Sequence, residues 1–461
     1  MSDQFDFVEA SVLELTLRGP YTAEIFSTLK ADDFSTEIRE PMQAAYALFS
    51  EGKPVDVITV AERLEATGHS HPMAFVAEVL EYVGKASISS LGYYAKVITS
   101  RSLYRKIGQT IISARQWLED ESPETAYERI LTDLSDIGRK DDDQLWDMKT
   151  ASKAFIEEMQ DRNDAGGELI GLSTGFKHLD NRMNGMRPGD MIVIAGRPGM
   201  GKSTLAFNMV EHNAVVKQIP TLVFSLEMSA PQIIEKMSAS LGQINLGSLR
   251  KGTLTEDEWT AFSAASQRTQ NGNLRIDDRG GLSIAQIRAR CFEVQRRYGL
   301  QLVVIDYIGL MSERGNNRNE ELTKISQGIK RLAKDLQCPV IALSQLNRGV
   351  ESRPDKRPHM SDLRESGAIE QDADVIIFPY REGYYDRDND NPDPLTEIIF
   401  GKIRMGEPGS EGLEWQGKYS RFVAMQGRPD FELMRKQKEE AERQARDQDQ
   451  KNRKGRGGMP L

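Results

Sequence analysis

The sequence predicts an α/β domain built on a largely parallel sheet, preceded by an all-α N-terminal domain and a linker helix. Three observations predict it. Six short apolar, β-branched runs alternate with helical stretches from Leu169 to about Arg428. Apolar residues at helical spacing dominate the chain before residue 120. A charge-rich stretch with one amphipathic stripe lies between the two. The expected division is therefore 1–120, 121–168, 169–428 and a charged tail at 429–461.

A chain of 461 residues can hold two or three cores, and 39% hydrophobic with 28% charged residues fits a globular protein. No run approaches the ~18 apolar residues a membrane span needs. The polar start Met1-Ser2-Asp3-Gln4 is unlike a secretory signal. Two cysteines, Cys291 and Cys338, exclude a disulfide framework or a Cys-rich zinc site. A cytoplasmic protein is expected. The net charge of −10 means that any nucleic-acid site is a local basic track or one formed on assembly.

In the N-terminal part, Val8, Val12, Leu13 and Leu15 begin an apolar face, continued by Phe34 and Met42 to Phe49. Gly52 closes that helix, and Pro54-Val55-Asp56 opens another through Ile58, Val60, Ala61 and Leu64, ended by Gly68. Tyr93 to Leu118 carries Ile98, Leu103, Ile107, Ile111, Ile112 and Trp117. No catalytic constellation appears here; His69 and His71 read as solvated loop histidines. An assembly or interaction domain fits. Lys140-Asp141-Asp142-Asp143 then reads as a solvated connector, and Asp147 to Arg162 as an amphipathic helix on Met148, Ala151, Phe155, Ile156 and Met159. With one apolar stripe and no core of its own, that helix must dock on something.

The apolar runs are Met191–Ala195, Thr221–Ser225, Leu302–Ile305, Val340–Ser344, Val375–Phe378 and Glu397–Phe400. Nearly continuous apolar strands suit burial on both faces. The tail after Phe431 has no aromatics and reads as disordered or partly helical.

Gly196-Arg197-Pro198-Gly199-Met200-Gly201-Lys202-Ser203 matches the phosphate-binding loop G-x-x-x-x-G-K-[ST] between an apolar strand and a helix that begins at Thr204. Its glycines turn backbone N–H groups toward phosphate oxygens, and the helix N-terminus adds positive partial charge. Residues Gly196 to Thr204 are thus the candidate ATP site, with Lys202 on the β/γ-phosphates and Ser203 on Mg²⁺. Asp306, at the carboxyl end of Leu302–Ile305, is the second candidate metal-side group. A base is still required, and Tyr307 stands where many ATPases carry a Glu. Glu227, just beyond Thr221–Ser225, is the RecA-like solution; the bland alternative is a helix-entry Glu. Gln345 ends another buried strand and either senses the γ-phosphate or only caps the strand.

Several segments together resemble the DnaB-type replicative helicases: Leu172–Phe176, Arg197–Ser203, Phe224–Met228, Ile305–Tyr307, Leu343–Arg348 and the long Ser361–Asp374. Gly52–Val60 resembles that family's helical domain. The resemblance implies a homohexameric ring of RecA-like motors under a helical collar, with ATP between subunits and the linker helix on the adjacent motor. It implies single-stranded DNA in the channel, and a helicase loader and primase as partners. It carries Lys402 and Arg404 over as cations reaching a neighbour's γ-phosphate, although Met405 and Glu407 depart from the family's usual residues. Residues i and i+2 on a strand do point the same way. It assigns Arg364, Glu365 and Gly367 to the DNA backbone, and the Glu313–Arg318 loop, with Arg314 and Arg318, would line the same channel. From Arg348 to Arg364 there are five Lys/Arg against three Asp/Glu, an excess that a ring would repeat. Two rivals share parts of this pattern. A recombinase or clock-like ATPase would lack the Ser361–Asp374 motif and the collar, and a nucleotide-dependent scaffold would not need Glu227, Gln345, Lys402 and Arg404.

Overall fold

The structure, a computed structural model, describes residues 6–18, 20–83, 86–137, 147–164, 169–313, 315, 317–385, 393–427, 429–437 and 440. Chain contacts divide it into two units, 1–143 and 144–461.

The first unit is helical: α1 (Phe7–Leu17), α2 (Thr22–Thr28), α3 (Thr36–Ser50), α4 (Val57–Ala66), α5 (Pro72–Val83), α6 (Leu91–Asp120) and α7 (Pro123–Ile137). Asp6 caps α1 and Asp56 caps α4, each accepting two backbone N–H groups. The core gathers Val12, Leu13, Leu15, Phe34, Ile38, Met42, Leu64, Val76 and Ile98. Glu9 is fully buried, accepts Ser35 N at 2.6 Å and pairs with Arg105 Nη1 at 3.0 Å. That carboxylate ties α1 to the start of α3 and to α6. The sequence reading did not identify α7, which groups with this unit and packs on α6. The connector at Lys140–Asp143 lies outside the described residues.

The second unit opens with α8 (Met148–Asp164), whose Met148, Phe155, Ile156 and Met159 are exposed. After α9 (Lys177–Met183) come β1 (Met191–Gly196), α10 (Lys202–Val210), β2 (Thr221–Ser225), α11 (Ala230–Gly242), α12 (Leu246–Lys251) and α13 (Glu256–Gln270). Then follow β3 (Leu274–Asp277), α14 (Ile284–Tyr298), β4 (Leu302–Asp306), α15 (Arg318–Leu336), β5 (Val340–Gln345) and α16 (Gly367–Asp372). The chain closes with β6 (Val375–Tyr380), β7 (Leu395–Ile403), β8 (Gly409–Gln416) and β9 (Arg421–Ala424). The nine strands form one sheet in the order β3-β2-β4-β5-β1-β6-β7-β8-β9.

From β3 to β6 all pairings are parallel. Met191, Val193 and Ala195 pack with α14 and α15 on one face, and Ile192 and Ile194 with α10 and α11 on the other. Burial on both faces is why these strands lack alternation. Beyond β6 the pairing turns antiparallel, with a register shift at Ile376/Ile377. The Glu397–Phe400 run thus belongs to an antiparallel extension, not to the parallel part. Strands β3, β8 and β9 escaped the sequence reading because they are short, polar or interrupted by glycine.

Cys291 and Cys338 are free and buried in the core, and burial pushes the Cys338 thiol up to about 12. Among the described residues no helix is long and apolar enough to cross a membrane. The tail begins as a helix at 431–437; residues 441–461 lie outside the described residues.

Candidate functional site

The carboxyl ends of the central strands bring the candidate residues together. Gly196 at the end of β1 is in register with Gln345 of β5, and Ser225 of β2 with Asp306 of β4. Between β1 and α10 the chain makes a tight loop. Gly199 and Gly201 have φ of +83° and +94°, and a Cβ on Gly201 would lie 2.7 Å from Phe422 Cζ. Glycine is required there on both counts. Gly201 precedes α10, so the loop's backbone leads directly into the helix N-terminus.

Lys202 Nζ lies 3.3 Å from Ser203 Oγ, 3.4 Å from Asp306 Oδ1 and 4.0 Å from Glu227 Oε2. Asp306 is 1% exposed and its Oδ2 has no hydrogen-bond partner. A buried carboxylate oxygen left open beside a hydroxyl is a donor set that suits a hard divalent cation, with phosphate oxygens completing it. Glu227 differs: its side chain is 54% exposed at the tip of a turn after β2. Leu226 N donates to Asp306 O at 2.7 Å, and Ser225 Oγ donates to Met228 O at 2.6 Å, which fixes that turn. A carboxylate held at the rim and open to solvent can meet and orient a water molecule, whereas the buried Asp306 faces inward beside Lys202.

The sequence reading missed two groups. Lys236 on α11 is partly buried, with Nζ 3.3 Å from Met228 Sδ. Burial lowers its pKa, and the fields of Asp306 and Glu227 oppose that. An isolated lysine in a helix carries no sequence pattern. The other is Arg381, whose Nη1 donates to Gly199 O at 3.2 Å while its guanidinium lies 4.8 Å from the Trp415 ring and 5.9 Å from that of Tyr384. Its Nε is buried without a hydrogen-bond partner. An arginine followed by Tyr384 and Tyr385 directly after a buried strand was the available sign.

Within the loop, Arg197 is turned to the segment after β5, with Nη1 2.8 Å from Leu346 O and Nε 2.9 Å from Glu351 Oε1. Met200 and Thr204 are buried, and Pro198 is exposed. Gln345 is exposed and lines a cavity of about 390 Å³ with Arg197, Tyr307, Arg318, Asn347 and Arg348.

Of the remaining candidates, Arg318 lines that same cavity, while Lys402 and Arg404 lie near the amino end of β6. Lys402, next to last in β7, has its Nζ on the carbonyls of Glu370 and Gln371, at 2.6 and 3.1 Å. Burial, followed by the Arg404 charge, lowers its pKa. Arg404 falls just past β7 and pairs with Asp374. Arg364 and Glu365 lie in the 3₁₀ segment Met360–Ser366, and Gly367 begins α16. Arg318 is the first residue of α15 rather than a loop residue. Asn317 caps that helix, and Arg318 pairs with Glu321 at 2.9 Å and donates to Gly309 O. Arg314 lies outside the described residues.

The chain resembles known proteins over both of its units. Residues 171–424 match the DnaB-like helicase C-terminal domain, and residues 7–100 the DnaB-like helicase N-terminal domain. The chain is 35% identical over 431 residues to the replicative DNA helicase DnaC of Bacillus subtilis (strain 168), covering 92% of this chain and 95% of that protein. It is 37% identical over 437 residues to the replicative DNA helicase DnaB of Pasteurella multocida (strain Pm70), covering 90% and 92%. Among solved structures, a DnaB-like replicative helicase described with its interactions with primase matches 91% of this chain and 100% of its own, with TM-score 0.65 and 27% identity. A second solved structure, of an ATPase domain, matches 61% of this chain and 100% of its own, with TM-score 0.57 and 33% identity. A helical unit, a mostly parallel sheet and both domain matches together place the chain in the DnaB-like replicative helicase family, as an ATP-hydrolysing DNA helicase.

Proposed function

We propose that the chain works as a homohexameric ring that translocates on single-stranded DNA and unwinds duplex at a replication fork, in the cytoplasm. The observation that carries the chemistry is the convergence of Lys202, Ser203, Asp306 and Glu227 at the carboxyl edge of the sheet, with one buried Asp306 oxygen open. Gly196 to Thr204 wrap the phosphates of ATP, and Lys202 balances their charge. Ser203 and Asp306 would hold Mg²⁺, which neutralises charge on the phosphates when bound. Glu227 orients and deprotonates the attacking water, and Gln345 reports the γ-phosphate to the segment behind it. Arg197 contributes its backbone to the loop. Arg381, with Tyr384 and Trp415, offers a planar cation and aromatic faces beside the loop, a surface suited to the base.

Lys402 and Arg404 act on the nucleotide of the adjacent subunit. Arg364, Glu365 and Gly367, with Arg314 and Arg318, form the DNA track; phosphate contacts of this kind carry register rather than sequence. The apolar stripe of α8 docks on the adjacent motor. A primase and a loader are the expected partners, the former because a relative's structure is described with primase.

The direct test is a forked duplex with one labelled strand. ATP with Mg²⁺ should release the strand, and native mass measurement should give six subunits per particle. Turnover without strand release on any fork polarity would favour the recombinase-like reading. Absence of turnover would favour the scaffold.

A further inference from the structure

Arg197 occupies a position inside the glycine-rich loop, yet its side chain is only 8% exposed and is bonded to groups outside that loop. Nη1 donates to Leu346 O and Nε to Glu351 Oε1, at 2.8 and 2.9 Å, while Leu346 N donates to Gly196 O at 3.4 Å. Three bonds thus join residues 196–197 to residues 346–351. Glu351 is 45% exposed, and its hydrogen bond from Arg197 holds its carboxyl below the usual range. It sits in the 3₁₀ turn Arg348–Ser352. Contacts with the chain ahead fix that turn: Asn347 N donates to Asp362 O at 3.2 Å, and Arg353 grips both Asp362 oxygens at 2.8 and 3.1 Å. Asp362 lies two residues before Arg364. A cavity of about 390 Å³, lined by Arg197, Leu346, Asn347, Arg348 and Asp362, lies beside these contacts.

We propose that Arg197 is a positioning residue rather than a phosphate ligand, and that its pair with Glu351 couples the nucleotide state of the loop to the 346–367 segment. This rests on the proposed function, in which that segment meets the DNA backbone. A forked guanidinium bonded to two fixed acceptors cannot follow a moving loop without dragging or losing them. A loop that closes around phosphates therefore has two discrete arrangements of this contact, which is what coupling between sites requires. Gln345 senses by its exposed side chain; the Arg197–Glu351 pair acts through the backbone of the loop itself.

Glu351 stands outside the catalytic set and on the surface, so the fold tolerates its replacement. In the full-length protein, ATP turnover is measured with and without oligothymidine, and oligothymidine affinity in ADP and in a non-hydrolysable ATP analogue. For Glu351→Gln and Glu351→Ala, basal turnover and the KM for ATP should stay within about twofold of wild type. The ratio of DNA affinities between the two nucleotide states should fall ~5-fold or more, and stimulation by DNA should fall with it. Glu351→Asp, which keeps the charge, should recover part of both. Unchanged ratios in Gln and Ala variants would overturn the proposal. So would loss of basal turnover with an unchanged ratio, which would make the pair a prop for the loop. If the wild-type protein itself shows no response to oligothymidine, the proposed function fails and the coupling with it; a failure confined to the variants falls on the coupling alone.

Discussion

Arg404 rests on Asp374 through two contacts, Nη1 to Oδ1 at 3.0 Å and its backbone N to the Asp374 carbonyl at 2.8 Å. The Arg404 side chain is 59% exposed. Asp374 does not depend on it, because Lys330 Nζ and Met191 N lie 2.5 and 2.8 Å from Oδ2. Removing Arg404 therefore leaves the buried Asp374 carboxylate still paired with Lys330 and bonded to Met191 N, so loss of this contact alone is a poor explanation for any large defect.

Arg404→Ala should therefore fold, bind ATP and form rings, yet hydrolyse poorly. Mixed with Lys202→Ala subunits it should regain activity, because some interfaces then join an intact loop to an intact Arg404. Turnover of the mixture is compared with each variant alone after mixed rings are verified by mass. No gain at any ratio would place Arg404 in its own subunit's chemistry or outside chemistry altogether.

Lys202→Ala and Glu227→Gln should fail differently. Lys202 is the cation nearest the sealed Asp306 carboxylate, so its removal should abolish hydrolysis and weaken nucleotide binding. Glu227→Gln keeps shape at a rim position and should bind ATP normally, with turnover down ~10²-fold or more. Equilibrium binding of a fluorescent ATP analogue beside steady-state turnover separates the two. Weak binding by Glu227→Gln would make that residue structural.

These differences also explain what was legible in the sequence. Gly199, Gly201 and Lys202 declare themselves because backbone conformation and phosphate chemistry admit few other residues. Asp306 stands out because it is a charge at the carboxyl end of the apolar run Leu302–Ile305, although an Asp there can also merely begin a turn. The place of the Arg197 side chain was not legible: loop membership speaks to its backbone, and Leu346 and Glu351 hold the side chain from a segment 149 to 154 residues away. Strand β8 carries Gly, Glu and Gln and β9 is only four residues long, so hydropathy does not mark either of them. Arg318 looked like loop because Gly315, Asn316 and Asn317 precede it, and Asn317 turned out to be the cap of α15.

Arg364→Ala should leave ring assembly and basal turnover intact while weakening oligonucleotide binding equally for all base compositions. Fewer counterions would be released, so the slope of log affinity against log salt should shrink by up to ~0.7 per lost contact. Titrations at several salt concentrations read both quantities. Unchanged affinity and slope in intact rings would remove Arg364 from the track and direct attention to the start of α15.

The last prediction concerns Glu211, in the π-helical turn Glu211–Val216 that continues α10. Its carboxyl accepts Ser240 Oγ at 2.7 Å and Asn208 Nδ2 at 3.4 Å, and Asn208 Oδ1 accepts Phe422 N at 2.8 Å. Burial pushes its pKa up from 4.5 to about 8, so it is protonated in the folded state at neutral pH. Folding then binds a proton that the unfolded chain has released. Stability from this group is fully present below pH 4.5, declines as pH rises and is lost by about pH 8, above which the slope from it vanishes. Glu211→Gln is neutral at every pH and keeps the acceptor oxygen. Its thermal midpoint should match wild type near pH 5 and exceed it at pH 8 to 9, by an amount equivalent to a few kcal/mol at most. Because the chain has two units, the comparison uses the transition of the nucleotide-binding unit, identified by its shift with added ATP. A wild-type midpoint that falls no faster with pH than that of Glu211→Gln would show that the carboxylate is charged in place and held by its neighbours. Arg421 and Arg268, whose fields favour the charged form, are the groups that would then be responsible.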